Sequence, residues 1–350
     1  MSRLSKKVAF GNTGLEISPI IFGTSCLGNL YQAVPYETKL DIIRQFFEHV
    51  EAPVVLDSAG KYGAGLSLEI IGKTLNELGK SSGDVIISNK LGWKRVPLKG
   101  PEPTFEPGAW FGIKHDAEQC ISPSGIIECW EQGCELLGGY HPQLLSVHDP
   151  DEYLGASSDD NDRRKRLDDV IGAYQSLGEL KKQGYAKAIG VGSKDWKVIK
   201  EISELVDLDW VMLACSLTVY THPRELMEFI EKLNSKNIAI INSAVFNAGF
   251  LIGGDYFDYR IPDKKDEPEL FAWRDRFIGL CHKYNIKPAE ACVQFGLAVP
   301  GVCAVALNTS KPERVKDNVE SVAVEITDEF WAEMKAQKLI NEDFPYLGGL

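Results

Sequence analysis

The sequence lacks the patterns that mark several large classes of protein. No uninterrupted apolar run approaches the roughly 20 residues that a membrane-spanning helix needs. Residues 1–7 show no apolar core of a secretion signal. The eight cysteines are scattered and form no C-x-x-C pair. Several of them lie inside apolar segments, so we expect reduced thiols in a cytoplasmic protein, with no disulfides and no metal site.

The sequence also contains fewer basic than acidic residues. The 350 residues include 38 Lys and Arg against 50 Asp and Glu, which gives a formal net charge of −12. Phosphate binding by nucleic-acid-binding proteins depends on clustered Lys and Arg, so this balance argues against nucleic acid as a main partner. The one dense basic run, residues 163–166, follows an acidic run and is typical of a solvated loop and helix start.

The sequence has no G-x-G-x-x-G turn and no P-loop. Such glycine-rich turns hold phosphates after the first strand of many open nucleotide-binding sheets. Their absence disfavours an open, doubly wound sheet, which is the main alternative to the fold that the strand pattern predicts.

What is present is an alternation of apolar and amphipathic segments. Apolar runs without polar alternation are typical of strands buried on both faces of a parallel sheet; here they cover residues 20–23, 54–57, 85–90, 144–148, 186–192, 210–214, 239–243 and 302–307. Helical patterns lie between them, at residues 37–49, 65–78, 124–137, 168–183, 195–205, 224–236, 269–284, 288–298 and 312–319. We therefore predict an α/β fold, a (β/α)8 TIM barrel that forms one domain over residues 1–350.

Other segments fall outside this rhythm. Short strand patterns on either side of a glycine-containing turn predict an N-terminal hairpin, at residues 7–18, that closes the bottom of the barrel. Long loops leave the carboxyl ends of strands, where barrel active sites are built; they are residues 91–123, 149–167 and 244–268. The tail, residues 339–350, is expected either to cover a pocket or to pack loosely.

Three predicted strands end at polar residues. The run 54–57 ends at Asp57, with Tyr62 five positions later, and the next two runs end at Lys90 and His148. Because the carboxyl ends of neighbouring parallel strands meet at one end of a barrel, we expect these four side chains to lie together.

These four residue types suit proton transfer. A tyrosine normally titrates near ~10 and is a poor base at neutral pH. A lysine ammonium beside it would lower that pKa, and an aspartate paired with the lysine would orient it. A neutral histidine could hydrogen-bond a carbonyl or hydroxyl oxygen. Together the four groups could pass a proton to or from a substrate oxygen during hydride transfer.

Asp57, Tyr62, Lys90 and His148 resemble the tetrad of the aldo-keto reductases. The resemblance extends to the family's first strand, tyrosine loop, fifth strand and cofactor helix, at residues 22–28, 62–69, 188–193 and 312–318. It implies that Tyr62 is the general acid/base, that Lys90 lowers its pKa, that Asp57 holds Lys90, and that His148 positions the substrate oxygen.

The resemblance further implies a nicotinamide cofactor that lies across the barrel mouth without a Rossmann fold. Ser193 would hold the carboxamide, although Gly192 and Met212 stand where Ser and Gln are customary. The other expected cofactor contacts are Gly23, Thr24, Ser243, Thr309, Ser310, Arg314, Asp317 and Asn318. Asn308 stands where members that favour NADP often carry a lysine, which favours NAD and leaves NADP open.

Within the family, residues 24–31, 147–151 and 242–247 and the long insertion around Trp110 look most like the D-threo-aldose, L-fucose and L-galactose 1-dehydrogenases. This implies oxidation of the anomeric C1 hydroxyl of an aldose to a lactone. Trp110, Asp149 and Asn247 are the candidate substrate contacts, and Asp149 could instead cap the turn before Pro150.

Two other functions stay open at this point. The same tetrad run in reverse would make an NADPH-dependent aldehyde or ketone reductase of broad specificity. A barrel that binds a nucleotide could also serve as a regulatory subunit, since fold alone does not establish catalysis. We expect a small sugar or aldehyde as partner, with no membrane and no metal, and the sequence leaves the oligomeric state open.

Overall fold

The structure of the protein is a computed structural model that describes residues 7–348. The expectations for residues 1–6 and for the last two residues of the tail therefore lie outside the described residues. The described chain forms a closed barrel of eight parallel strands, preceded by a two-stranded hairpin of β1 (Val8–Ala9) and β2 (Glu16–Ile17). The predicted (β/α)8 barrel is confirmed.

The barrel strands follow the sequence pattern closely. They are β3 (Ile20–Gly23), β4 (Val54–Ala59), β5 (Val85–Leu91), β8 (Leu144–His148), β9 (Ala188–Ser193), β10 (Trp210–Ala214), β11 (Ala239–Ser243) and β12 (Val302–Leu307), and β12 closes the barrel by pairing with β3. One further antiparallel pair, β6 (Trp93–Pro97) and β7 (His115–Gln119), lies in the insertion after β5. The sequence did not predict this pair, because its polar side chains carry no apolar strand signal.

The helices cover the outside of the barrel. They are α1 (Tyr36–His49), α2 (Leu66–Glu77), α3 (Pro123–Leu136), α4 (Pro150–Gly155), α5 (Asp160–Lys182), α6 (Trp196–Leu205), α7 (Arg224–Ser235), α8 (Pro268–Lys283), α9 (Pro288–Ala298), α10 (Glu313–Ser321) and α11 (Asp328–Ala336). The predictions missed α4 and α11 and began α5 eight residues late. The first turns of α5 are too polar to show an apolar stripe, but Asp159 caps them by accepting hydrogen bonds from the backbone N–H groups of Asn161 and Asp162.

The hairpin closes the N-terminal end of the barrel with apolar side chains. The ring of Phe10 lies 6.3 Å from the ring of Trp210, which stands at the start of β10. Both side chains are fully buried, and they pack with inward-facing residues of the other strands, such as Ile21 and Val55. The predicted position of the hairpin is confirmed.

The sheet register brings the polar strand ends to one level. Asp57 of β4 pairs with Ser88 of β5, and Ala59 pairs with Lys90. The sequence predicted Asp57 as the last residue of its strand, but β4 continues to Ala59. The side chain at the end of β8, His148, lies beside Gly192 of β9. The carboxyl ends of the strands therefore form one platform for the polar groups.

The tail packs against the helices. Leu339, Ile340 and Phe344 are buried, and the ring of Phe344 stacks on Phe295 of α9 at 4.6 Å. The backbone N–H of Asn341 also donates to Nε2 of His222 at 3.0 Å. Residues 339–348 are thus an ordered part of the fold and not a loose end.

Candidate active site

The barrel brings together all four residues of the expected tetrad. Nζ of Lys90 donates to Oδ2 of Asp57 at 2.5 Å, and Oδ1 of Asp57 accepts from the hydroxyl of Ser88 at 3.0 Å. The same ammonium lies 4.7 Å from the centre of the Tyr62 ring, and the His148 ring meets that ring edge-on at 5.6 Å. Asp57, Lys90 and His148 are each 5% exposed or less.

A close contact between two glycines holds the tyrosine turn. Gly63 follows Tyr62 with a φ of 62°, a left-handed conformation that glycine adopts without strain. A Cβ at Gly63 would lie 2.3 Å from the carbonyl oxygen of Gly28, in the turn after β3. Only glycine permits this approach, and it fixes the backbone from which the phenol projects.

Gly192 makes room for the lysine. A Cβ at this position would lie 3.2 Å from Cδ of Lys90, so a side chain there would crowd the stem of the lysine. Met212, the other departure from the family pattern, is buried in the apolar cluster inside the barrel and offers no polar group to a carboxamide. Both departures therefore have a packing explanation.

The phenol of Tyr62 does not have the lowered pKa that the sequence argument expected. Burial raises its pKa well above the ordinary value, and the carboxylates of Asp57 and Asp149 raise it further. The physical reason is that the ammonium of Lys90 is already paired with Asp57, so the pair presents little net positive charge to the phenol. Tyr62 is therefore protonated at neutral pH in this state.

His148 is neutral, as expected. Burial lowers the pKa of its imidazole well below the usual value, and the ammonium groups of Lys90 and Lys61 lower it further. Its Nε2 lies 3.4 Å from Oδ2 of Asp149, while its buried Nδ1 has no hydrogen-bond partner in the described chain. A neutral imidazole can donate a hydrogen bond to a substrate oxygen without carrying charge into the pocket.

A second group of charges lies beside the tetrad, and the sequence argument missed it. Lys61 is 3% exposed, and its Nζ lies 2.9 Å from Glu106, 3.0 Å from Asp149 and 2.8 Å from Glu152. Glu152 is also bound by Lys194 at 2.7 Å. The sequence signal was a lysine directly before Tyr62 and the acidic pair Asp149 and Glu152 directly after β8.

Two of the three candidate substrate contacts lie at the tetrad. The Trp110 ring is 6.0 Å from the Tyr62 ring, and its Nε1–H donates to Glu106 at 2.7 Å. Asp149 occupies the N-cap position of α4, but its side chain binds Lys61 and caps nothing. The turn-capping alternative for this side chain was therefore wrong.

The side chain of Asn247 is bonded within the loop after β11. Its side chain is fully buried, and its amide donates to Oδ1 of Asp258 at 2.8 Å. Its own Oδ1 is buried without a partner in the described residues. The side chain thus stabilises the loop after β11, where the backbone of Asn247 is left-handed with a φ of 46°.

The expected cofactor residues all lie at the carboxyl ends of β3, β9, β11 and β12 or on α10. Several of their side chains are already bonded within the protein. The Thr24 hydroxyl donates to the carbonyl of Asp57, Ser193 accepts from the backbone N–H of Asp195, and Ser243 donates to the carbonyl of Leu213. The backbone of Gly23 and Thr24 lies at the barrel mouth, at the carboxyl end of β3, where it could still contact a cofactor.

The other expected cofactor residues lie in the loop after β12 and on α10. Thr309 is half-buried, Ser310 accepts from Gln32 at 2.8 Å, and Asp317 pairs with Lys287 at 3.0 Å. Arg314 is exposed without an ion pair in the described chain, and Asn318 is half-buried. An unpaired guanidinium at this place suits an anionic phosphate.

A second cation without a partner lies near the same loop. Lys39, in the first turn of α1, is 3% exposed, and its ammonium forms neither an ion pair nor a hydrogen bond to any described residue. Burial lowers its pKa to about 8, with an opposing influence from Cys26 in the turn after β3. Helical side chains point toward the start of their helix, which here is the mouth of the barrel. An anionic group bound there would supply the charge that Lys39 lacks.

Other site classes find no support in residues 7–348. No group of three or more His, Cys, Asp or Glu is placed to hold a metal ion. All eight cysteines are unpaired. In this range no helix combines the length and apolar character needed to cross a membrane.

Comparison with known proteins agrees with the fold. The aldo/keto reductase family model matches residues 19–338, so the chain belongs to the aldo/keto reductase family of NAD(P)H-dependent oxidoreductases.

Among individual proteins, the chain is similar to a pyridoxal 4-dehydrogenase from Microbacterium luteolum, with 27% identity over 97% of this chain and 99% of that protein. It is also similar to a D-threo-aldose 1-dehydrogenase from a Pseudomonas species, with 26% identity over 96% and 98%. An aldo-keto reductase from Bacillus halodurans in its holo form shares the fold, with a TM-score of 0.68, 22% identity and 96% coverage of both chains.

Proposed function

We propose that this protein oxidises the anomeric C1 hydroxyl of an aldose to the lactone, with NAD or NADP as the hydride acceptor. The observation that carries the proposal is the Tyr62 ring held between the Lys90 ammonium and the His148 imidazole at the barrel mouth. We further propose that the reaction takes place in the cytoplasm, in keeping with the unpaired cysteines.

The four side chains divide the proton chemistry among them. His148, held neutral by its surroundings, donates a hydrogen bond to the C1 oxygen and fixes its position. The phenolate form of Tyr62 takes the hydroxyl proton as hydride leaves C1, and Tyr62 becomes a neutral phenol. Lys90 stabilises that phenolate before the proton is taken, and Asp57 keeps Lys90 in place through their 2.5 Å contact. The bound nicotinamide supplies the hydride acceptor for this oxidation.

The carboxyl ends of the strands beside the tetrad offer groups for the cofactor. Gly23, Thr24, Ser193 and Ser243 would line its nicotinamide and pyrophosphate, and Thr309, Ser310, Asp317 and Asn318 its adenosine end. Arg314 and Lys39 are cations near these residues that have no ion-pair partner in the described residues. Asn308, whose amide donates to Ser25 at 2.9 Å, supplies no cation. Asn308 favours NAD, whereas the ammonium of Lys39 could bind the additional phosphate of NADP. These residues together therefore favour neither cofactor.

The sugar as substrate is supported by the polar wall of the pocket. Asp149 turns one carboxylate oxygen to Lys61 and to His148, and the other oxygen can accept a hydrogen bond from a neighbouring sugar hydroxyl. Trp110 provides an apolar face next to Tyr62. The similarity to a D-threo-aldose 1-dehydrogenase over nearly the whole chain supports the same substrate class.

A second candidate is the reverse reaction, reduction of an aldehyde or ketone. The observation that favours it is the raised pKa of the Tyr62 phenol, because a protonated phenol is the form that donates a proton to a carbonyl oxygen. The similarity to a pyridoxal 4-dehydrogenase does not bear on this direction, but it adds pyridoxal to the oxidation substrates to be tested.

The test is absorbance at the reduced-nicotinamide band, with NAD and NADP separately. The panel contains L-fucose, L-galactose, D-arabinose and pyridoxal for oxidation, and simple aldehydes for reduction. Rapid cofactor reduction with one aldose supports the proposal. Turnover only with pyridoxal or only in the reductive direction contradicts the aldose assignment but keeps the tetrad. Cofactor binding without turnover of any kind points to a regulatory barrel.

A further inference from the structure

Lys61 is an unusual lysine because three carboxylates from two separate segments surround it. Glu106 belongs to the insertion after β5, whereas Asp149 and Glu152 belong to the start of α4 after β8. Lys61 itself lies in the turn after β4, directly before Tyr62. Its ammonium also lies 5.0 Å from the centre of the Trp93 ring, at the base of the insertion. One cation therefore joins three loops at the mouth of the barrel.

A buried ammonium such as that of Lys61 is stable only when all of its carboxylate partners are present. An ammonium loses its hydration when it is buried, and only close carboxylates compensate for that loss. Three carboxylates around one ammonium leave an excess of negative charge, which Lys194 partly offsets at Glu152. If Lys61 is removed, the carboxylates repel one another and the loops that carry them lose their common attachment.

The cluster reaches the reacting groups through Asp149. This residue has a left-handed backbone with a φ of 48°, which is uncommon for a residue other than glycine. Its Oδ2 is shared between Lys61, at 3.0 Å, and Nε2 of His148, at 3.4 Å. Through Glu106, which accepts from Nε1 of Trp110, the cluster also fixes the ring beside Tyr62.

We propose that Lys61 is a positioning residue that holds the insertion loop and the start of α4 against the tetrad, and so sets Asp149 and Trp110 for substrate binding. The proposal rests on the proposed function, since it assigns the substrate pocket to the groups around Tyr62. Lys61 does not contact the reacting atoms itself, so its removal acts on substrate binding more than on the chemical step.

The experiment compares Lys61→Met with Lys181→Met. Lys181 also binds a carboxylate, Asp209 at 2.6 Å, but at the opposite end of the barrel. For Lys61→Met we expect KM for the best substrate to rise about tenfold or more, while kcat changes less. We also expect faster hydrogen exchange in residues 93–119 with cofactor absent. Lys181→Met should change neither, and Lys61→Arg should recover part of the KM.

The pH dependence gives a separate readout. The titratable and charged groups that face Lys61 or its carboxylates come from several elements. They are Tyr62 on its own turn, Glu106 on the insertion, Lys90 on β5, His148, Asp149, Asp151 and Glu152 at the end of β8 and on α4, Lys194 after β9, and Tyr259 in the loop after β11. Without Lys61 the clustered carboxylates repel one another less at low pH, where they take up protons. KM of Lys61→Met should therefore rise with pH between about 5 and 8, while the wild-type KM stays flat.

The outcomes separate this proposal from the proposed function. Unchanged KM and unchanged exchange in Lys61→Met, or changes equal to those of Lys181→Met, would overturn it, as would a fall in kcat with KM unaltered. If no aldose is a substrate, the exchange measurement and a carbonyl substrate still decide it. If Lys61→Met does not fold, Glu106→Gln takes its place. Faster exchange in that variant, confined to the insertion, supports the proposal, and unchanged exchange contradicts it.

Discussion

The two ends of the barrel are built on opposite principles. At the N-terminal end, the hairpin seals the barrel with fully buried apolar side chains such as Phe10 and Trp210. At the C-terminal end, the buried groups are charged, and Asp57, Lys61 and Lys90 are each 3% exposed or less. The first arrangement stabilises the fold, whereas the second is costly unless every charge is paired.

Backbone geometry follows the same division. Residues other than glycine with left-handed backbones recur in the loops at the C-terminal end, among them Asp149, Ala244 and Asn247. Such conformations persist where the surrounding structure fixes them, and they are frequent at functional sites. The comparison indicates that apolar packing at the N-terminal end stabilises the fold. This stability compensates for the buried charges and left-handed backbones that the chemistry at the C-terminal end requires.

The largest expected effect concerns the charged end. Tyr62→Phe removes the hydroxyl that exchanges the proton and keeps the ring between Lys90 and His148. We expect turnover to fall roughly 10²- to 10⁴-fold, with cofactor affinity and thermal stability close to wild type. Steady-state rates, with cofactor titration followed by tryptophan fluorescence, measure this. An unchanged rate would remove Tyr62 from the reaction.

The matching change at the apolar end is Phe10→Ala. It opens a cavity against Trp210, and we expect the free energy of unfolding to fall by about 3–5 kcal/mol. Activity per folded molecule should stay at the wild-type level, because the site lies at the other end of the strands. Urea unfolding measures the free energy of unfolding, and active-site titration measures the activity per folded molecule. A loss of activity in fully folded Phe10→Ala would show that the two ends are coupled.

A third prediction uses the raised pKa of the Tyr62 phenol. Below that pKa, the fraction of deprotonated phenol rises tenfold for each pH unit, so the oxidation rate should rise with pH from about 7 to 9, with a slope of up to one. The reverse reduction uses the protonated phenol and should stay flat across the same range. The measurement is kcat/KM against pH in both directions. An oxidation rate that is flat from pH 7 to 9 would mean that the phenol pKa lies below this range in the working enzyme.

The smallest expected effect concerns Lys39. Lys39→Met should weaken cofactor binding about tenfold, the effect of losing one charge-assisted contact to a phosphate. A loss confined to NADP would place Lys39 at the 2'-phosphate, and an equal loss for NAD and NADP would place it at the pyrophosphate. Equal affinities in wild type and variant would exclude both contacts.

The depressed pKa of Lys39, about 8, supplies an independent check. A phosphate bound beside the ammonium raises this pKa, so the protein should take up protons on binding cofactor at pH 8 to 9. Calorimetry in two buffers of different ionisation enthalpy detects the uptake, which should vanish in Lys39→Met.

The sequence alone determined the barrel and the four residues at its mouth. Buried parallel strands are continuous apolar runs, and five of the eight barrel strands, among them β8 and β12, have the predicted bounds. Asp57, Lys90 and His148 were readable because each interrupts or ends such a run. Polar elements without this contrast, such as β6, β7 and the first turns of α5, gave no signal.

Only the tertiary structure decided how the charges interact. Lys61, Glu106 and Glu152 lie far apart in the sequence and meet because three loops converge at one end of the barrel. The same convergence sets the pKa of Tyr62, since that value depends on burial and on the distances to several carboxylates. It also pairs the buried side chain of Asn247 with Asp258. Residue type and strand position are local properties of a chain, whereas electrostatic environment is a property of its folded arrangement.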